Sequence, residues 1–125
     1  MLLDTNIIID YFRGSTAASR FLETYKTELS TSSVVVMETI VGLKKKVEIR
    51  KIDKFLISFN IRMYFVTQTI AEEAIKILSE NFHSSGMGAL DAFVAATAKV
   101  TNQEVATSNL KHFRCVEGVK SVRPY

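Results

Sequence analysis

Short apolar runs alternate with longer amphipathic stretches along the chain. Residues 1–4 begin as an apolar run, and the apolar sequence IIIDYF follows after Thr5 and Asn6. Threonine and asparagine side chains can accept hydrogen bonds from the free amides at the start of a helix. The pattern therefore predicts a strand followed at once by a helix, with Asp4 at the junction.

Further stretches place apolar residues three or four positions apart, which is the spacing of one face of a helix. They begin at Ser15, at Ser32 or Ser33, at Val47, and at Ile70 with Thr69 as the cap. The helix from Val47 is predicted to run on through KIDKFLISF to Phe59. The sequence ALDAFVAATAKV, residues 89–100, is apolar on nearly all sides, and such a helix is usually central and packed against a sheet.

Four more segments are predicted to be short strands: 28–31, 63–66, 105–107 and 119–122. The sequence SNLKHF, between the last two, is predicted to be a turn. Strands that alternate with helices are joined by right-handed crossovers into a parallel sheet, and helices then cover both of its faces. The sequence therefore predicts an α/β protein.

Length and composition limit the class of protein. The 125 residues are 47% hydrophobic, which is enough for one domain, 1–125, with a core that needs no disulfide or structural metal. No apolar run approaches the roughly 20 residues of a membrane span, and the start MLLDTN lacks the features of a signal peptide. We therefore expect a cytoplasmic protein without membrane contact. A lone cysteine, Cys115, excludes an internal disulfide.

Positive charge is concentrated in one segment. Residues 41–54 carry a net charge of +4, although the whole chain carries only +3. The basic residues of this segment are Lys44, Lys45, Lys46, Arg50, Lys51 and Lys54. Such a segment can attract RNA, but a run of charges is also typical of a solvated helix face.

Three acidic residues lie at positions of chemical interest: one follows a strand, where a parallel sheet binds ligands, and two lie in apolar stretches, where acids are rarely buried unless paired or bound to a metal. Asp4 ends the first strand, Glu38 lies in VVVMETIVG, and Asp91 is the only acid of the apolar stretch 88–99. Asp4 and Asp91 could instead complement a helix dipole, and Glu38 could face solvent. If the three carboxylates converge, they repel one another. Such an arrangement is physically reasonable mainly as a site for a hard cation such as Mg²⁺ or Mn²⁺. Spacing in the sequence cannot show that they converge.

Four segments resemble the motifs of PIN domains, in the family's order and spacing. They are LLDTNIIIDYF, SSVVVMETIVGL, LDAFVAATA and ATSNLKHF, and together they span residues 2 to about 122. The resemblance implies a three-layer α/β/α fold with a central parallel sheet of four to five strands.

The same resemblance implies a set of site residues. The family's metal-binding acids fall on Asp4, Glu38 and Asp91, which would hold Mg²⁺ or Mn²⁺. The fourth acidic position of many members falls on Asn109, whose amide carries no charge. Supporting polar positions are Thr5, Asn6, Thr107 and Ser108, although turn or cap roles would also explain them. His112 is expected on a surface turn rather than in catalysis.

The short chain resembles the VapC-type toxins of this family. That likeness implies an endoribonuclease acting on tRNA or other structured RNA, a homodimer, and a cognate antitoxin that blocks the active site. Lys44, Lys45, Lys46, Arg50 and Lys51 would then guide the RNA. Two other functions stay open: a PIN-like module that only binds RNA or a partner, and a phosphatase of the haloacid dehalogenase kind. The latter family uses DxD, whereas the third position here is Asn6.

Overall fold

Five short parallel strands form the centre of the structure, a computed structural model that describes residues 1–125. They are β1 (Leu2–Leu3), β2 (Ser30–Ser32), β3 (Arg62–Tyr64), β4 (Val105–Ala106) and β5 (Ser121–Val122). Their order in the sheet is β3-β2-β1-β4-β5, and every neighbouring pair is parallel. All carboxyl ends therefore lie along one edge, with β1 in the middle. The predicted α/β fold with a parallel sheet is confirmed.

Eight helices connect and flank these strands. They are α1 (Thr5–Phe12), α2 (Thr16–Thr24), α3 (Ser33–Leu43), α4 (Lys46–Ile49), α5 (Ile52–Ser58), α6 (Gln68–Ser85), α7 (Ala89–Val100) and α8 (Leu110–Phe113). The predicted bounds of α1, α2, α3 and α7 agree within about two residues. None of the helices combines the length and the hydropathy that a membrane span requires.

Four local predictions were wrong. The single helix expected from Val47 to Phe59 is divided into α4 and α5 by a turn at residues 50–51, and α5 buries Ile52 and Phe55 whereas α4 has no fully buried residue. The cap of α6 is Thr67, whose Oγ1 accepts from the Ile70 amide at 3.2 Å, and not Thr69. The predicted turn SNLKHF contains α8, which the fully buried Phe113 anchors to the core. Strands β2 and β3 are shifted by one or two residues from their predicted positions.

Close helix packing fixes the elements around the carboxyl edge of the sheet. Helix α7 is buried along its alanine face, with Ala95 and Ala96 fully inaccessible, which lets α6 and the sheet approach it closely. Helix α3 packs on α1 at Gly42, where the Ile9 side chain fills the space that a Cβ would take. Since Glu38 is one turn before Gly42, this approach turns Glu38 toward the start of α1.

Candidate active site

A polar cleft of about 330 Å³ opens beyond the carboxyl ends of β1 and β4. Its lining comes from α1 along its length to the C-cap, the middle of α3, the start of α7 and the turn after β4. The lining residues are Asp4, Thr5, Asn6, Ile9, Asp10, Arg13, Glu38, Asp91 and Asn109. The three acids singled out in the sequence thus face one cleft, although they are separated by up to 87 positions in the chain. We call it the acidic cleft.

Asp4 is the most deeply held of these acids. It is only 5% exposed and forms the N-cap of α1, a role that the sequence had assigned to Thr5 or Asn6. Its carboxylate accepts from the Thr5 amide at 2.8 Å, from Thr107 Oγ1 at 2.7 Å and from Asn6 Nδ2 at 3.2 Å. Burial raises the pKa of Asp4, and the charge of Asp91 raises it further, while these three hydrogen bonds oppose the rise.

Glu38 reaches the acidic cleft from the middle of α3. Ser32, at the end of β2, caps this helix through its hydroxyl, so the helix starts at the same edge of the sheet as α1. The Glu38 side chain is partly buried, and burial raises its pKa. The negative charges of Asp4 and Asp91 raise this pKa further, so the three carboxylates are close enough to repel one another.

Asp91 has two partners at the start of α7. Its Oδ2 accepts from the Gly88 amide at 3.3 Å, which closes the first turn of the helix. The same oxygen lies 2.7 Å from His112 Nδ1. Asp91 therefore complements the helix start, as one interpretation of the sequence held, and also faces the acidic cleft. The expectation that His112 sits apart on a surface turn was wrong, because α8 brings its ring against Asp91.

Asn109 supports this histidine. His112 Nδ1 lies 2.8 Å from the side-chain amide of Asn109 as well as against Asp91. In the structure the amide nitrogen, Nδ2, is the atom that faces the ring. One ring nitrogen cannot donate to a carboxylate and accept from an amide at once, so when Nδ1 donates to Asp91 the Asn109 amide supports it only with its oxygen turned toward the ring. The backbone amide of Asn109 donates to Thr107 Oγ1 at 2.9 Å, which ties the turn to the residue that holds Asp4.

The donors of the acidic cleft suit a hard cation, since all three carboxylates present oxygen. The buried hydroxyl of Thr5 forms no hydrogen bond of normal geometry but lies near enough to Glu38 to oppose the rise in its pKa, and it offers one more oxygen. The acids do not surround a common point, however, and no group of three acidic, histidine or cysteine side chains is close enough to hold an ion. Mutual repulsion of the carboxylates and the contact of Asp91 with His112 both favour this spread.

Comparison with known proteins identifies the family to which this fold belongs. Residues 1–118 match the sequence profile of the PIN domain. The chain belongs to the PIN-domain family. Two curated relatives from Mycobacterium tuberculosis, Ribonuclease VapC19 and Ribonuclease VapC10, are each 30% identical to it. The first alignment covers 90% of both proteins, and the second covers 96% of this chain and 90% of the relative.

A solved structure agrees with these relatives over nearly the whole length. A chain of a toxin–antitoxin complex from Klebsiella pneumoniae is 31% identical to this PIN domain, with a TM-score of 0.79. The superposition covers 99% of this chain and 97% of that chain. PIN-domain ribonucleases generally depend on divalent metal ions, which agrees with the oxygen donors of the acidic cleft.

Two charged residues of the acidic cleft escaped the sequence analysis. Asp10 and Arg13 line it together with Asn6, and their spacing of four and three positions along α1 could have shown that they share its face. The Tyr125 hydroxyl donates to Asp10 Oδ2 at 2.7 Å, which attaches the end of the chain to α1. This contact and burial raise the pKa of Tyr125.

The basic segment 41–54 of this PIN domain does not line the acidic cleft. Helix α3 continues for six residues from Glu38 to Lys44, which is about 9 Å along its axis, away from the edge where α3 begins. None of the six basic residues of the segment lines the acidic cleft. Their contact with RNA stays a prediction.

An apolar groove of about 640 Å³ adjoins the acidic cleft and shares Thr5 and Glu38 with it. The other lining residues are Ile9, Val34, Met37, Val41, Gly42, Leu90 and Phe93. Met37 and Val41 are 66% and 75% exposed, so α3 presents large apolar side chains to solvent beside a charged site. Exposed apolar surface of this kind is typical of interaction sites.

Proposed function

We propose that this protein is a divalent-metal-dependent endoribonuclease and the toxin of a toxin–antitoxin pair. One observation carries the proposal: Asp4, Glu38 and Asp91 come from three separate elements and line one cleft at the carboxyl edge of the sheet. The names of the curated relatives support ribonuclease activity, and the Klebsiella pneumoniae complex supports the role of toxin.

Asp4, Glu38 and Asp91 would hold Mg²⁺ or Mn²⁺. Such an ion, when bound, polarises the scissile phosphate and lowers the pKa of the attacking water. The protein supplies the ionised carboxylates. Hydrogen bonds from Thr107 and Asn6 favour the charged form of Asp4, and His112 fixes the orientation of Asp91. Thr5, Asn6, Thr107 and Asn109 are therefore positioning residues.

The proposed substrate is tRNA or another structured RNA, and the proposed assembly is a homodimer of single PIN domains. The proposed antitoxin would occupy the apolar groove. Because this groove shares Thr5 and Glu38 with the acidic cleft, a partner segment seated in it would also cover the carboxylates. Inhibition would then follow from the position of the groove.

Incubation with total tRNA tests this function against its alternatives. We expect cleavage in Mn²⁺, loss of cleavage with chelator, and no turnover of a small phosphate monoester. A phosphatase would hydrolyse the monoester instead. A module that only binds RNA would shift the tRNA in a gel and leave it intact, and either result would overturn the proposal.

Replacement of Thr107 by valine tests how Asp4 is held. The hydroxyl of Thr107 donates to Asp4 and accepts from the Asn109 amide, so its loss should destabilise the protein by about 1–3 kcal/mol. The pKa of Asp4 should rise further, and the acid limb of the pH–rate profile should move to higher pH. Thr107→Ser keeps the hydroxyl and serves as the control. An acid limb that is identical in Thr107→Val and the parent would contradict this role.

Asn109→Asp should tighten metal binding, since it adds a carboxylate to the cleft that Asp4, Glu38 and Asp91 line. Titration calorimetry with Mn²⁺ should give a lower Kd than for the parent. The control Asn60→Asp makes the same change in the exposed turn before β3, at the opposite edge of the sheet, and should leave the Kd unchanged. An unchanged or weaker affinity of Asn109→Asp would place residue 109 outside the reach of the ion.

A further inference from the structure

A second polar groove lies next to the acidic cleft, on the side of α8. It has a volume of about 780 Å³, within the range of about 300–1,000 Å³ that ligand sites occupy. Its lining residues are Ser108, Asn109, Leu110, Lys111, Arg114, Cys115 and Arg123. We call it the basic groove. Asn109 lines both the basic groove and the acidic cleft, so the two are continuous across this residue.

The two sites carry opposite charge. The basic groove contains three cations, Lys111, Arg114 and Arg123, and no carboxylate. All three are exposed, and none forms a salt bridge. Such a groove repels metal ions and attracts anions, whereas the neighbouring cleft is built from carboxylates and attracts cations.

Two features of the structure determine how the basic side chains are placed in the basic groove. Lys111 lies on α8 and Arg114 is its C-cap, three positions further on, so both side chains leave the same face of that turn. Arg123 comes from the segment after β5, and its Nη2 donates to the Ser108 carbonyl at 3.1 Å. This hydrogen bond holds the guanidinium at the wall of the groove. Because the side chain is already ordered, less conformational entropy is lost when a ligand binds.

We propose that the basic groove binds backbone phosphates of the RNA that flank the scissile phosphate. The inference rests on the proposed function, because it requires an RNA strand whose reacting phosphate enters the acidic cleft. That strand crosses Asn109 and places its next phosphates against Lys111, Arg114 and Arg123. These contacts would position the backbone and would not read the base sequence.

This assignment differs from the one made on the sequence, which placed the RNA on residues 44–54. Lys111 and Arg114 were hidden in the sequence because they are isolated in SNLKHFRC and form no charge run. Arg123 is nine positions beyond Arg114 and reaches the groove only through the pairing of β5 with β4. The basic groove borders the acidic cleft, which the segment 44–54 does not.

The test measures binding of total tRNA to the 125-residue chain in chelator, at several salt concentrations. The variant is Lys111→Gln/Arg114→Gln, because neither side chain makes a hydrogen bond within the protein and its fold should persist. The matched control is Lys26→Gln/Lys120→Gln, which removes two exposed cations before β2 and β5, at the opposite edge of the sheet. A Lys111→Arg/Arg114→Lys variant keeps the charge, and a Lys44→Ala/Lys45→Ala/Lys46→Ala variant tests the earlier assignment.

We expect the groove variant to bind about three- to tenfold more weakly, and its salt slope to fall by about 1.4 to 1.8, because two phosphate contacts are lost. The charge-preserving variant and the matched control should bind like the parent. In Mn²⁺ the groove variant should show a raised KM with a kcat near that of the parent.

Parent-like binding by the groove variant would overturn the proposal, as would an equal loss in the matched control. Loss of binding confined to the Lys44–Lys46 variant would also overturn the proposal, and it would assign RNA binding to segment 44–54. Failure of the proposed function gives a different result, because the parent itself would then leave tRNA intact in Mn²⁺.

Discussion

Asp4→Asn, Glu38→Gln and Asp91→Asn should each lower the rate of RNA cleavage by about a hundredfold or more. Each substitution removes one charged oxygen donor from the acidic cleft, and the electrostatic stabilisation that a bound cation gives the reaction amounts to several kcal/mol. The rates would be measured on tRNA at saturating Mn²⁺, and circular dichroism would check that each variant is folded.

Glu80→Gln is the matched control for these variants. It makes the same change of carboxylate to amide on exposed α6, away from the acidic cleft, and should cleave like the parent. A rate near that of the parent in any one of the three cleft variants would show that its carboxylate has no part in the reaction.

In the absence of metal, the free energy of unfolding of Glu38→Gln should be higher than that of the parent at pH 7.5. The pKa of Glu38 is raised in the folded protein above its ordinary value of 4.5, so the folded state binds more protons than the unfolded state above that pH. The free energy of unfolding therefore falls as pH rises through the window between 4.5 and the raised pKa. The penalty grows as pH rises through this window and is absent below pH 4.5, where the advantage of Glu38→Gln should disappear.

Divalent metal should make the parent more stable than Glu38→Gln. Mn²⁺ at a hundred times its Kd should stabilise the parent by about 2.7 kcal/mol, because the ion binds the folded state alone. The same concentration should stabilise Glu38→Gln much less, since one donor is missing. Thermal unfolding with and without Mn²⁺ measures both effects. Equal stabilisation of the two proteins, or a parent that is more stable than Glu38→Gln in chelator at pH 7.5, would contradict this prediction.

The fold was predictable because its signals are local. Apolar spacing along α1, α2, α3 and α7 identified these helices, and the alternation of helices with short strands gave the parallel sheet. Helix and strand boundaries that depend on tertiary packing were harder to predict from the sequence. The break between α4 and α5 and the one-turn helix α8 depend on what is buried in the folded chain, above all Phe113, and no local pattern shows this.

Asp4 was found in the sequence because it ends the first strand, and Glu38 and Asp91 because each lies in an apolar stretch, where an unpaired carboxylate is costly. Their common location depends on the sheet order, which brings β1, β2 and β4 together. His112 could not be assigned from the sequence, because its contact with Asp91 bridges α8 and α7, 21 positions apart. Asp10 and Arg13 lie on a helix face that the sequence could have shown, but nothing there marked that face as the wall of a cleft.

Binding of Mn²⁺, followed by the loss of the electron paramagnetic resonance signal of the free ion, tests the shared metal site most directly. The parent and the variants Asp4→Asn, Glu38→Gln and Asp91→Asn would be titrated at pH 7.5. If the three carboxylates hold one ion together, the parent should bind Mn²⁺ saturably, and each substitution should weaken binding at least about tenfold. Equal Mn²⁺ affinity in the parent and all three variants would contradict the site.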